Sequence, residues 1–153
     1  MDRLLMFIAT GAYSGYLPVA PGTWGSAAGV LLWLLASRLE AVSYYSVIGV
    51  LFVIGTFSAG AAEKIADQPD PGIVVIDEIV GQLIALSLAP KHPAAVLAAF
   101  VLFRFFDILK PFPAGWIDRH LHGGLGIMLD DVVAGLYALL ALHLGLLLLK
   151  LLQ

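Results

Sequence analysis

The chain has 153 residues, 61% of them apolar and only 12% charged, with a net charge of −3 and a mean hydropathy of +0.97. A soluble globule of this length keeps too much exposed area to hide so apolar a composition, and soluble domains ordinarily carry ~25% charge. The absence of cysteine removes disulfides, thiolate zinc sites and cysteine nucleophiles, while the lack of any basic run argues against a nucleic-acid partner. Residues 1–9 form a short apolar run that breaks at Gly11 without the basic flank of a signal peptide. Five longer apolar runs follow. The first covers 22–39, opening at the Pro21-Gly22-Thr23 turn, and the second covers 43–62 without a single charge. The third covers 73–89 and stops at Pro90, the fourth covers 93–109 and stops at Pro111, and the fifth covers 130–152. These runs predict a single domain over 1–153, an all-helical integral membrane bundle of about five helices. The third and fourth runs sit at the lower limit of spanning length, ~17 residues, and are short enough to be tilted, re-entrant or sheltered by the other helices.

Charge inside an apolar helix is costly and therefore informative. The third run carries Asp77 and Glu78 about one turn in. The fourth carries Arg104 and Asp107, with Lys110 just past its end, an i, i+3, i+6 spacing that keeps the three on one drifting face. The fifth opens with Asp130 and Asp131. If the runs alternate in direction, the loops 1–21, 63–72 and 110–129 share one side, and every one of these groups collects there. The Gly22-Thr23-Trp24-Gly25-Ser26 turn enters the first run on the same side. The opposite side keeps only Arg38, Glu40, Lys91, His92 and Lys150. A short echo links two of the acidic pairs: Asp77-Glu78-Ile79-Val80-Gly81 resembles Asp130-Asp131-Val132-Val133-Ala134.

Carboxylates grouped beside one Arg and one Lys suit a hard cation together with an anionic substrate. Mg²⁺ takes oxygen ligands, commonly one or two carboxylates plus substrate phosphate. Arg clamps phosphate oxygens bidentately and Lys adds a compact charge. The turn at Thr23, Gly25 and Ser26 offers N–H groups and hydroxyls to an anion. These are the parts of metal-assisted phosphoryl chemistry. Simpler roles stand beside each. Asp130 or Asp131 alone suits an N-cap, Arg104 and Asp107 suit a structural ion pair, and Gly25 with Gly29 suits close helix packing. Asp67 and Asp70 read as a solvated turn. Asp118, Arg119, His120 and His122 read as a polar interfacial loop, in which His120 is an acid–base candidate. His143 suits a hydrogen bond between helices, and Trp24, Trp33, Trp116 and the pairs Tyr13/Tyr16 and Tyr44/Tyr45 suit interface anchors. No P-loop or phosphoaspartate motif occurs. The rival function is a small ion- or proton-coupled transporter, which predicts acids distributed through the membrane depth.

Four blocks, in order, resemble the bacterial phosphatidylglycerophosphatase A family. They are Ala20-Pro21-Gly22-Thr23-Trp24-Gly25-Ser26, Ile76-Asp77-Glu78-Ile79-Val80-Gly81, the stretch from Phe103 through Lys110 to Pro113, and Asp118-Arg119 with His122 through Asp131. The resemblance implies a Mg²⁺-dependent hydrolase of the bacterial inner membrane that converts phosphatidylglycerophosphate to phosphatidylglycerol and phosphate, with a multi-pass fold and its site toward the cytoplasm. On that footing Asp77, Glu78, Asp130 and Asp131 are expected to hold the metal. Arg104 and Lys110 are expected on the phosphate, with Thr23, Gly25 and Ser26 as further substrate contacts. Asp107 either joins the metal shell or orients Arg104, and the catalytic set is Asp77, Asp107, Asp130, Arg104 and Lys110. The nucleophile is open between a water and an Asp.

Overall fold

The structure, a computed structural model, describes residues 2–152. Seven α-helices and no strand occur among them: α1 (Asp2–Ala9), α2 (Pro21–Ala36), α3 (Ala41–Ala66), α4 (Ile76–Ala85), α5 (Pro93–Leu109), α6 (Ala114–His120) and α7 (Gly123–Leu151), with a single 3-10 turn at Ser14–Tyr16. Met1 and Gln153, the ends of the expected domain, lie outside the described residues. Proline opens α2 and α5, where its missing N–H costs nothing. Asp67 and Lys110 close α3 and α5 in left-handed conformation, with φ of 49° and 44°.

α3 and α7 are 26 and 29 residues long, about 39 and 44 Å at 1.5 Å per residue. Both are long and apolar enough to cross a membrane. Their outer faces are bare: Val42, Phe57, Leu140 and Leu144 are all at least 59% exposed. Apolar side chains left uncovered in such number belong against lipid or another apolar surface.

α4 takes the sheltered course among those open to a short run. The third run, 73–89, contains a helix of only 10 residues, about 15 Å and half a membrane core. It survives because α2, α3, α5 and α7 all pack around it. Ile76, Ile79, Val80, Leu83 and Ala85 are buried, and protein in place of lipid surrounds its ends. Its last turn is closed from outside. The Tyr44 hydroxyl of α3 donates to Leu83 O at 2.6 Å, and Ser87 Oγ donates to the same carbonyl at 3.3 Å. Leu86 and Ala89 remain buried beyond the helix end, so the apolar run continues where the helix does not.

Other boundaries move for packing reasons. α7 begins at Gly123, not at residue 130, because Gly124 lets it press against α3. A Cβ on Gly124 would lie 1.8 Å from Thr56 O and 2.6 Å from Gly60 N. Asp130 and Asp131 therefore sit about two turns inside α7, which rules out the N-cap role. The expected polar loop at 118–122 contains the end of α6. The interface aromatics split: Tyr13, Tyr16, Trp24, Tyr45 and Trp116 are between 45% and 54% exposed, whereas Trp33 and Tyr44 are buried in the core. His143 Nε2 meets Leu88 O at 3.3 Å, a carbonyl of the turn after α4 and not of a second helix as expected. The Gly124 contact is with backbone, which cannot swing aside, so Gly124→Ala is expected to destabilise the bundle by about 1–3 kcal/mol. A lowered melting temperature in detergent checks this.

Candidate active site

The α4–α7 crossing builds the first half of the site. A Cβ at Gly81 would stand 2.7 Å from Asp131 O and one at Gly135 2.5 Å from Gly81 O. Only hydrogen at these positions lets the two backbones meet. The two echoing segments thus face each other, and their acids converge. One carboxylate oxygen from each of Asp77, Glu78 and Asp131 lies within 4.8 Å of the others. Asp77 is 8% and Asp131 3% exposed. Asp77 Oδ1, Glu78 Oε2 and Asp131 Oδ2 are buried without a hydrogen-bond partner. Three such oxygens at close quarters are unfavourable by desolvation and by mutual repulsion. A hard divalent cation cancels both costs, and an all-oxygen donor set is what Mg²⁺ selects. The residues present fit that ion.

α5 supplies the second half. Arg104 Nη1 stands 2.5 Å from Asp107 Oδ2 and 3.7 Å from Glu78 Oε1. It also donates to Ser26 Oγ of α2 at 3.5 Å. The guanidinium, 17% exposed, therefore ties α5 to α4 and α2. Its Nε is buried without a partner. Gly22 makes room for this meeting, since a methyl there would lie 2.1 Å from Glu78 Oε1 and 2.8 Å from Arg104 Nη1. The Ser26 hydroxyl proton is committed to Gly22 O at 2.8 Å. Of the remaining turn residues, Thr23 has its N–H on Ala20 O at 2.9 Å, and Gly25 lies in the α2–α4 seam, 2.7 Å from Val75 Cβ if given a methyl. Neither makes a polar contact with the carboxylates among the described residues.

Asp130 parts from its neighbour. Consecutive helix residues point about 100° apart, and Asp130 turns to Lys110. Its Oδ2 accepts from Lys110 Nζ at 2.6 Å and its Oδ1 from the Asp131 N–H at 3.0 Å. Lys110 also pairs with Asp118 of α6. Burial works to lower the Lys110 pKa, but the hydrogen bonds and charges of Asp118 and Asp130 outweigh it and the ammonium is held above its ordinary value. The left-handed φ at Lys110 and the close approach of Gly115 to Lys110 O, 2.5 Å from a would-be Cβ, fold α6 back to make this contact. Beside it lies a cavity of about 280 Å³ lined by Glu63, Asp70, Asp118, Arg119, His122 and Asp130 among others.

The structure thus brings Asp77, Glu78, Asp131, Arg104, Asp107 and Ser26 together and sets Lys110 and Asp130 next to them as a second group. Sequence reasoning passed over Asp118, whose only signal was its place in a block shared with Arg119. It also passed over Gln82, fully buried with neither amide atom partnered. Gln82 is one helical turn beyond Glu78 on the same face of α4. His120 stands apart, stacked on Trp116 with ring centroids 4.8 Å apart and its Nδ1 2.8 Å from Trp116 O.

The comparisons with known proteins agree with these blocks. The model of the phosphatidylglycerophosphatase A family matches residues 7–146. A Haemophilus influenzae protein named phosphatidylglycerophosphatase A is 42% identical over 135 residues, spanning 87% of this chain and 83% of that protein. An Escherichia coli protein of the same name is 40% identical over 129 residues, spanning 84% of this chain and 75% of that one. A Bacteroides thetaiotaomicron protein provisionally named a phosphatidylinositol-3-phosphatase is 39% identical over 142 residues, spanning 88% and 89% respectively. No solved structure matches the chain significantly. With the family match covering the carboxylates, Arg104 and Lys110 alike, this chain belongs to the phosphatidylglycerophosphatase A family.

Proposed function

We propose that the chain hydrolyses the terminal phosphomonoester of phosphatidylglycerophosphate, releasing phosphatidylglycerol and phosphate, with Mg²⁺ held by Asp77, Glu78 and Asp131. The observation that carries this reading is the set of three buried carboxylates, each with an unpartnered oxygen, standing beside Arg104. A bound Mg²⁺ supplies Lewis acidity toward the phosphoryl oxygens and water. Arg104, fixed by Asp107 and Glu78, offers charge and its free Nε–H to the phosphoryl group. Lys110, kept charged by Asp118 and Asp130, adds a second positive charge that Asp130 positions. In the hydrolysis a water oxygen bonds to phosphorus, the bond from phosphorus to the glycerol oxygen breaks, and that oxygen takes a proton.

We propose further that the bundle sits in the bacterial inner membrane as a multi-pass protein with its site toward the cytoplasm. Support comes from α3 and α7 and from the bare apolar faces. Basic residues at the site end (Arg3, Lys64, Lys110, Arg119) outnumber those at the other (Arg38, Lys91, Lys150) by a single residue. The transporter reading is not favoured, because the acids gather at one end of the bundle and not along its depth.

The test is phosphate release from detergent-solubilised phosphatidylglycerophosphate. Release is expected with Mg²⁺, is expected to vanish in EDTA and to return when Mg²⁺ is restored, and Mg²⁺ is expected to raise the melting temperature. Undiminished release in EDTA overturns the metal assignment. Release from phosphatidylinositol 3-phosphate at a comparable rate would instead favour the headgroup named for the Bacteroides relative.

A further inference from the structure

Toward the end of the bundle away from the carboxylates, α2 and α5 part to leave a groove of about 750 Å³ whose mouth lies at that end. Its walls are apolar, with Leu34, Val96, Leu97 and Phe100 along them and Trp33 at its floor. Its mouth is basic: Arg38 follows α2, and Lys91 and His92 precede α5. No acidic residue lines it. The catalytic chemistry uses none of these residues.

We infer that this groove is a second, non-catalytic lipid site, occupied by an anionic glycerophospholipid of the leaflet opposite the active site. The dimensions fit. From Ala27 to Arg38, the two ends of the α2 wall, the helix rises about 16 Å, and one hydrocarbon leaflet is about 15 Å deep. An acyl chain therefore reaches from the mouth to the inner end, where the last lining residues are Ala27, next to Ser26 on α2, and Phe100, one turn before Arg104 on α5. The charge fits as well. Arg38 and Lys91 are exposed cations at the point where a phosphodiester headgroup would sit. His92 Nδ1 accepts from the Ala94 N–H at 3.2 Å, which leaves Nε2 as the donor of the neutral ring. Cationic groups at the rim of an apolar slot select an anionic lipid over a zwitterionic one; apolar walls alone select neither. The inference rests on the reading that the bundle sits in a bilayer.

Trp33, buried at 4% exposure against the groove, is a built-in reporter. With Trp24→Phe and Trp116→Phe, it is the sole tryptophan of the chain. Reconstituted in bilayers doped with acyl-brominated lipid, its fluorescence is expected to be quenched at least about twofold more by phosphatidylglycerol than by phosphatidylcholine at equal mole fraction. Arg38→Gln with Lys91→Gln is expected to abolish that difference. Equal quenching by the two lipids overturns the inference and leaves the membrane reading intact, whereas no quenching by either overturns both. A headgroup preference that survives Arg38→Gln/Lys91→Gln assigns the groove to the chains of the catalytic-end lipid and equally overturns it. Should the tryptophan-reduced chain fail to fold, native mass spectrometry of the unaltered sequence reads the same contrast. Retained phosphatidylglycerol, lost in Arg38→Gln/Lys91→Gln, supports the site, and its retention in that variant sinks it.

Discussion

Asp77→Asn and Asp131→Asn are each expected to lower kcat/KM for phosphatidylglycerophosphate by about 10³ or more, some 4 kcal/mol of transition-state stabilisation. The fold should survive, and the direction of the stability change separates a metal ligand from a structural acid. Three carboxylates with oxygens within 4.8 Å repel one another when nothing neutralises them. Removing one charge should therefore leave the melting temperature in EDTA equal to or above that of the unaltered chain. Adding Mg²⁺ should raise the melting temperature of the unaltered chain and leave the two variants nearly unmoved. Asp130→Asn provides the internal control. Its oxygens are spent on Lys110 Nζ and the Asp131 N–H, so the Mg²⁺-dependent rise should persist while activity falls through the freed Lys110. If Asp131→Asn keeps the full Mg²⁺ response, the three-carboxylate centre is wrong. If Asp130→Asn loses it, the centre extends to a fourth ligand, as the sequence alone suggests.

That contrast marks where the sequence stops being informative. Alternating the direction of five apolar runs is enough to collect the acids, Arg104 and Lys110 at one end, because charge in an apolar helix leaves few places to go. The same logic cannot divide Asp130 from Asp131. The two differ only by a rotation about α7, and the division is made by Lys110 and by the backbone contact of Gly81, neither of which is local. Helix limits fail for a related reason. Leu86 and Ala89 are as apolar as the residues of α4 and as deeply buried, so composition does not register that the helix has ended under Tyr44. His122, Gly123 and Gly124 look like a loop because glycine is a poor helix former. Packing against Thr56 overrides that preference and makes glycine the residue that fits. Gln82 leaves no trace at all: an amide in an apolar run carries neither charge nor spacing to mark it.

Gly22→Ala is expected to be nearly silent for stability and severe for activity. The added methyl would sit 2.1 Å from Glu78 Oε1 and 2.8 Å from Arg104 Nη1, both at the far ends of long, flexible side chains. Those ends move aside at little cost, and alanine in the first turn of α2 is favoured over glycine by up to ~1 kcal/mol. The melting temperature in EDTA should therefore hold or rise slightly. What is lost is the placement of Glu78 and Arg104, and a displacement of about 1 Å in a positioning group costs about 10²-fold in rate. Gly25→Ala tests the same helix three residues on with the opposite expectation. Its methyl meets Val75 Cβ at 2.7 Å and Val75 O at 3.0 Å, a contact with the chain entering α4, so melting temperature and activity should fall together. Full activity in Gly22→Ala would mean that the approach of Glu78 to Arg104 is dispensable, and the part given to Arg104 in binding phosphate would then have to be withdrawn.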